Sequence, residues 1–278
     1  MNLGEWKDLV LLVLGFLLSI GAALLGALIQ RRVDRRIERR PLNQVLNYGP
    51  DGLLFVFPRR DTVPEAILPR TSTEDFLAMN NFISALLSIG WARRIGVRDV
   101  GNIIGDMGHL SEADKRQNLV IICSPKSNAL AATFQKEICK IYSNVFTFQS
   151  DADQVFITDG DGASYRSRSY EQVQNYLSAG VTQGDLPGKQ YEDYAVITKV
   201  TSPWNEANKI VWLAGIRGIG TWGAAECVKK EWRQIYDRLP PGAKTCDFSA
   251  LLKVEYDNCD ITSVQVRRVE LLATKKTI

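Results

Sequence analysis

Histidine is nearly absent from this 278-residue chain: His109, in the loop GDMGHLSE, stands alone. A single histidine cannot build a histidine-based metal site, and no histidine pair is available for acid–base relay. Cysteine offers no substitute. Cys123, Cys139, Cys227, Cys246 and Cys259 are odd in number, scattered, and form no C-x-x-C pair. That pattern fits reduced thiols and gives neither a zinc nor a disulfide signature. The motifs G-x-S-x-G, H-E-x-x-H and the Walker loop are missing too, so no metal and no cofactor is expected. Net positive charge is concentrated in one place. Residues 31–40 carry six arginines against Asp34 and Glu38, a net +4, and residues 1–30 a net −1, so the total of +3 leaves 41–278 neutral. A neutral body argues against nucleic acid as a partner, since that ligand requires a basic stripe to neutralise phosphates.

What the chain does have is an uncharged run at 9–29, LVLLVLGFLLSIGAALLGALI, followed at once by RRVDRRIERR. Twenty-one residues at ~1.5 Å each cover the ~30 Å hydrocarbon core of a bilayer. Basic flanks stay on the cytoplasmic side, so the expectation is a single-pass protein of the inner membrane, its N-terminus outside. A cleaved signal peptide fits less well: the leader MNLGEWKD is net negative, the core is long, and the arginines follow it. Residues 1–30 are therefore read as a transmembrane segment, 31–44 as a basic juxtamembrane stalk and 45–278 as a cytosolic domain. Within the membrane segment Gly15, Ser19, Ala23 and Ala27 recur every four residues, with Ala22 and Gly26 alongside. Such a stripe lets helix backbones approach and predicts a homo-oligomer.

The cytosolic part alternates strand and helix. LLFVFP (53–58) and LVIICSP (119–125) read as buried strands, and a capping box at Thr71–Glu74 opens a helix running to Trp91. KSN leads into the helix ALAATFQKEICKIY. Short strands are expected at 145–148 and 154–158, a hairpin turn at Asp159–Gly162, and a helix at 169–178. YAVITKVTSP (194–203) and KIVWLAGI (209–216) form an antiparallel pair, and RGIGTWG (217–223) leads into a long helix ending near Leu239. A hairpin spans 247–256 and 261–270. The fold class is therefore α/β: a mixed, mostly doubly wound Rossmann-like sheet with antiparallel hairpins, plus one N-terminal transmembrane helix.

Two loops stand where such sheets bind ligands. The first is Ser124-Pro125-Lys126-Ser127-Asn128, between a strand and a helix. Lys126 supplies charge, Ser127 and Asn128 short donors, and the helix N-terminus free N–H groups, all suited to an anionic oxygen. The second is 215–223, GIRGIGTWG. It contains a formal G-x-G-x-x-G, but no β-α-β continuation follows, so a dinucleotide site is not expected. Its glycines let a ligand approach the backbone. Arg217 forks onto an anion and Trp222 offers a stacking face. Ser124, Lys126, Ser127, Asn128, Arg217, Gly218, Gly220, Thr221 and Trp222 are the candidate ligand contacts. Helix–sheet packing is the competing explanation for the glycines. Glu65, Glu74, Asp75, Asp99 and Asp106 lie near strand ends, where one could serve as a nucleophile and a second as an acid.

The membrane run, the RRVDRRIERR stalk and the α/β domain with its SPKSN and AGIRGIGTWGAAE loops resemble membrane-tethered effectors of bacterial nucleotide-signalled defence. Those have Rossmann-like sensor domains of the CARF or nucleoside deoxyribosyltransferase-like kind. The resemblance implies an oligomeric effector that senses a nucleotide-type small molecule and perturbs the bilayer, as in antiviral defence. The alternatives are a membrane-anchored nucleotide N-glycosidase or deoxyribosyltransferase-like enzyme, and an anchored protein-binding scaffold. The topology is directly testable: a cysteine introduced as Asn2→Cys should react with an impermeant reagent on intact cells. Labelling of a cysteine placed near the C-terminus instead would reverse the orientation.

Overall fold

The computed structural model describes residues 21–22, 24–26, 30, 41–58, 72–91, 93–100, 110–151, 154–167, 175, 178–180, 191–257 and 260–274. Contacts divide the chain into two compact units, Met1–Pro41 and Leu42–Ile278. In the first, Ala22, Leu24, Leu25, Gly26 and Gln30 are helical and exposed. Gly15, Ser19, Ala23 and Ala27, and most of the apolar run, lie outside the described residues. Among the described residues no helix is long and apolar enough to cross a membrane.

The second unit is built on a seven-stranded sheet. In chain order its strands are β1 (Leu53–Pro58), β2 (Ile95–Val100), β3 (Asn118–Ile122), β7 (Tyr191–Ser202), β8 (Asn205–Gly215), β9 (Phe248–Asp257) and β10 (Asp260–Leu271). Strands β4 (Thr147–Asp151), β5 (Gln154–Thr158) and β6 (Ser164–Arg166) form a separate antiparallel sheet. The large sheet runs β10-β9-β7-β8-β3-β1-β2. Strands β2, β1, β3 and β8 are mutually parallel, whereas β8, β7, β9 and β10 pair antiparallel. The sheet is mixed, as expected, but its antiparallel share is larger than a mostly doubly wound plan implies. Chain continuity explains this: β7–β8 and β9–β10 are hairpins, and a short turn can join only antiparallel neighbours.

Helices cover both faces. On one face α1 (Thr73–Ser88), α4 (Gly218–Glu226) and α5 (Trp232–Arg238) pack, with residues 42–46, over Leu53, Phe55, Val120, Leu213 and Leu252. On the other, α3 (Ala129–Ile141) and the small sheet cover Val56, Ile121, Val196 and Trp212. A short α2 (Glu112–Lys115) precedes β3. The central strands are apolar on both faces because both are covered: every residue of β3 is buried. Trp212 anchors the second core, edge-on to Phe134 at 5.7 Å and tilted on Phe148 at 5.4 Å.

Several boundaries moved. α1 opens on Ser72, whose hydroxyl accepts from Asp75 N–H, and ends at Ser88 rather than at Trp91. Residues 41–46 are helical, and Ile95–Val100 and Ser164–Arg166 add strands β2 and β6 to those expected. The proposed helix at 169–178 lies largely outside the described residues, with Asn175 and Ser178 helical.

One side chain fastens the entry of the chain into the sheet. Asn118, fully buried, accepts from the Gly49 and Lys209 N–H groups, both at 3.0 Å. Its amide donates to the carbonyls of Gly49, Asp51 and Gly52 at 3.1–3.3 Å. Asn118→Ala should leave these groups unpaired and cost about 3 kcal/mol, because each buried orphan costs ~1–3 kcal/mol. Urea titration checks this; an unchanged midpoint would show that the hub is dispensable.

Candidate ligand site

Strands β3 and β8 are neighbours and parallel, so their carboxyl ends share one edge of the sheet. From that edge β3 sends its connection to α3 on one face and β8 sends its connection to α4 on the other. Neighbouring parallel strands whose connections diverge leave a crevice between them, the switch point at which open α/β sheets bind ligands. The structure thus brings the 124–128 and 215–223 segments to one edge, on adjacent strands.

The first segment leaves the sheet abruptly. Cys123 takes φ +87°, a left-handed conformation costly for a side chain, of order 1–3 kcal/mol. It is held there from both sides: its N–H donates to Leu213 carbonyl at 2.9 Å, and its carbonyl accepts from Trp212 Nε1 at 3.0 Å. The following turn closes on Ser124, whose carbonyl accepts the N–H groups of Ser127 and Asn128. Asn128 is fully buried and serves as the N-cap of α3. Its Oδ1 accepts from Ala131 N–H at 3.1 Å and its Nδ2 donates to Ile122 carbonyl at 2.8 Å. Ser124 is also buried, whereas Lys126 is exposed and Ser127 half-buried.

The second segment is organised by a residue that sequence reading missed. Asp193, on β7, is fully buried. Its Oδ2 accepts from Arg217 N–H at 2.9 Å and Gly220 N–H at 3.1 Å, and its Oδ1 from Tyr194 N–H at 2.9 Å. The chain's own carboxylate therefore occupies the anion-binding end of α4. Burial pushes the Asp193 carboxyl up to about 7, against the opposing pull of the Arg217 charge and the three N–H donors.

Two glycines here answer to packing. A Cβ on Gly215 would stand 2.5 Å from Gly220 Cα, and one on Gly223 would meet Val254 of β9 at 2.5 Å. A Cβ on Gly220 would strike the Asp193 carboxylate. Thr221, fully buried, accepts from Gly215 N–H at 3.0 Å and locks α4 to the end of β8. The amide of Asn128, the N–H of Gly220 and the hydroxyl of Thr221 are thus engaged within the fold.

What remains at the crevice is side-chain chemistry. Arg217 and Gly218 are half-buried and Lys126 is exposed. The side chain of Glu74, from α1, lies 3.1–3.3 Å from where a Gly218 Cβ would stand, which brings a carboxylate-bearing side chain against this loop. Asp75 beside it is buried. Trp222 is half-buried in a small cluster with Tyr191, Ile219, Tyr256 and Ile261. That places it toward β7 and β9, two strands from the 124–127 turn. His109, Glu65 and Asp106 lie outside the described residues, as does the Asp99 side chain. Among the described residues no group of three metal-binding side chains occurs.

A second polar cluster lies at the opposite edge, beside the amino end of β8. Asp247 accepts from Tyr142 Oη at 2.7 Å and Thr201 Oγ1 at 3.3 Å, and Lys209 Nζ donates to Thr201 Oγ1 at 2.6 Å. Lys199 Nζ, whose acidity burial raises until it titrates at about 8, donates to Thr245 carbonyl at 2.8 Å. These groups satisfy one another and do not reach the crevice.

Asp193 makes a signed prediction. Its folded pKa lies above the ~3.9 of an unfolded aspartate, so the folded state holds the extra proton between those values. Its contribution is fully present at the acid end and is lost as pH rises through about 7. The unfolding free energy of wild type relative to Asp193→Asn should fall by about 1.4 kcal/mol per pH unit across that window. Urea titrations at stepped pH measure it, and a pH-independent difference would mean that Asp193 stays ionised throughout.

Comparison of the chain with protein-family models, with curated proteins and with solved structures finds no match to any of the three.

Proposed function

We propose that this protein is a membrane-tethered sensor whose α/β domain binds an anionic, nucleotide-type small molecule in the crevice between β3 and β8. In this reading occupancy rearranges an oligomeric membrane helix and perturbs the bilayer, as in antiviral defence. The observation that carries it is the convergence of the 124–128 and 215–223 segments at one switch point, with Lys126 and Arg217 as the cations there. Both helix ends are already capped, α3 by Asn128 and α4 by Asp193. The anionic group is therefore read by side chains, whereas Trp222, set toward β7 and β9, lies away from the 124–127 turn. The apolar run at 9–29 and the arginine block supply the tether and its orientation.

One observation favours the enzyme alternative, an N-glycosidase or deoxyribosyltransferase-like activity. Glu74 lies against Gly218 at the same crevice, where a carboxylate would meet a sugar carbon. Such an enzyme would turn a bound nucleoside over, and a sensor would release it unchanged.

Mass spectrometry of small molecules released from the purified protein is the direct test, followed by binding of whatever is found. Arg217→Ala should weaken that binding about ten- to a hundred-fold, the scale of one lost charge-assisted contact, with the fold intact. Equal affinity in the variant, or no anionic ligand at all, would sink the crevice reading. Glu74→Gln separates the alternatives: it should abolish turnover in an enzyme and spare binding in a sensor.

A further inference from the structure

The helix that leaves the crevice carries one residue too many. α4 and α5 are continuous from Gly218 to Arg238 except at Cys227–Glu231, where the backbone makes a π-helical turn. A π turn accommodates an inserted residue, is rare, and occurs most often as a single bulge at functional places. Here both ends of the helix are fastened. At the crevice end Asp193 holds Arg217 and Gly220, and Thr221 holds Gly215. At the far end Gln234 accepts from Val266 N–H of β10 at 3.0 Å, and Tyr236 Oη lies 3.4 Å from Gln44 Oε1. Trp232, Ile235 and Leu239 share the buried core with Leu42, Val45 and Leu46, which lie just after the arginine block at 31–40 in sequence. Between the fastenings, the α1 residue Asn81 grips the bulge. Its Nδ2 donates to Glu226 Oε2 at 2.6 Å, and its Oδ1 accepts from Lys229 Nζ at 2.9 Å.

Closing the bulge into regular α-helix would advance one end relative to the other by ~1.5 Å and rotate it by ~100°. The contacts at the two ends then cannot both survive. We propose that this bulged helix is the relay between the crevice and residues 42–46: each end holds the register that the other requires. A ligand that strengthens or breaks the crevice fastening therefore changes the hold on the segment leading to the stalk. The relay rests on the sensor reading for its purpose, but its existence does not depend on which ligand is bound.

Charge around the crevice fastening is limited. Arg217 comes from its own loop and Glu74 from α1. From β9, Lys253 is engaged with Glu192 at 2.8 Å and Glu255 at 3.0 Å, and the β9 residue directly paired with Asp193 is Val254. The proton-dependent hold of Asp193 acts on the helix end that the relay uses.

Hydrogen exchange in the full-length protein in detergent tests the relay from both directions. Asp193→Asn, which loosens the crevice end, should raise exchange about five-fold or more at residues 42–48 as well as at 216–221. Val45→Ala, which loosens the far end, should raise exchange at 216–221 by a similar factor, because coupling between sites is reciprocal. Deleting Lys230, exposed in the π turn, removes the surplus residue. Each effect should then stay at its own end. Changes confined to 216–221 in Asp193→Asn and to 42–48 in Val45→Ala would overturn the proposal even if the deletion variant fails to fold. Failure of the sensor reading gives a different result, namely intact reciprocal exchange with no ligand bound.

Discussion

A single carboxylate inside the fold decides what the crevice can be. Asp193 stands fully buried on β7 and holds the first turn of α4 by two backbone N–H groups. That arrangement requires glycine at 220, where any side chain would strike it, and glycine at 215, where the helix start presses on the strand end. Thr221 and Gly223 complete the docking of α4 onto β8 and β9. A glycine-rich stretch that reads as open space for a ligand is therefore the footprint of a carboxylate held within the chain. The charge of the helix end is met internally.

The gross architecture was legible because its signals are local. Apolar runs such as LVIIC and YAVITKV declare buried strands, and short turns between such runs declare hairpins. The shared edge for the two loops also followed, since each came directly after an apolar strand and opened a helix. Other features depend on tertiary context. IGVRDV carries two charges and reads as loop, yet it is parallel edge strand β2, supported by pairing with β1. Asp193 escaped notice because it sits one residue before the apolar part of its strand, and a lone acid there looks solvated. Its significance appears only when α4, far along the chain, folds back over it. The π turn at Cys227–Glu231 has no sequence signature.

The same distinction applies to Asn128 and Asn118. Asparagine at a strand–helix junction fits both a cap and a ligand contact, and only the hydrogen bonds to Ala131 and Ile122 show which role it fills. Asn118, hidden in the first position of a buried strand, draws no attention in sequence. In the fold it ties residues 49–52 to two strands at once.

That tie has a mechanical side. A pull arriving along the chain from residue 41 bears first on the buried Leu42, Val45 and Leu46, and where these yield it passes through residues 47–52 to β1, which lies between β3 and β2 within the sheet. Asn118 clamps the backbone just ahead of that strand, so load spreads into β3 and β8 before it bears on β1 alone. Force along β1 then shears a parallel ladder on two sides, which must fail together, instead of peeling an edge strand one hydrogen bond at a time. The domain is thereby built to carry traction from its own N-terminal side.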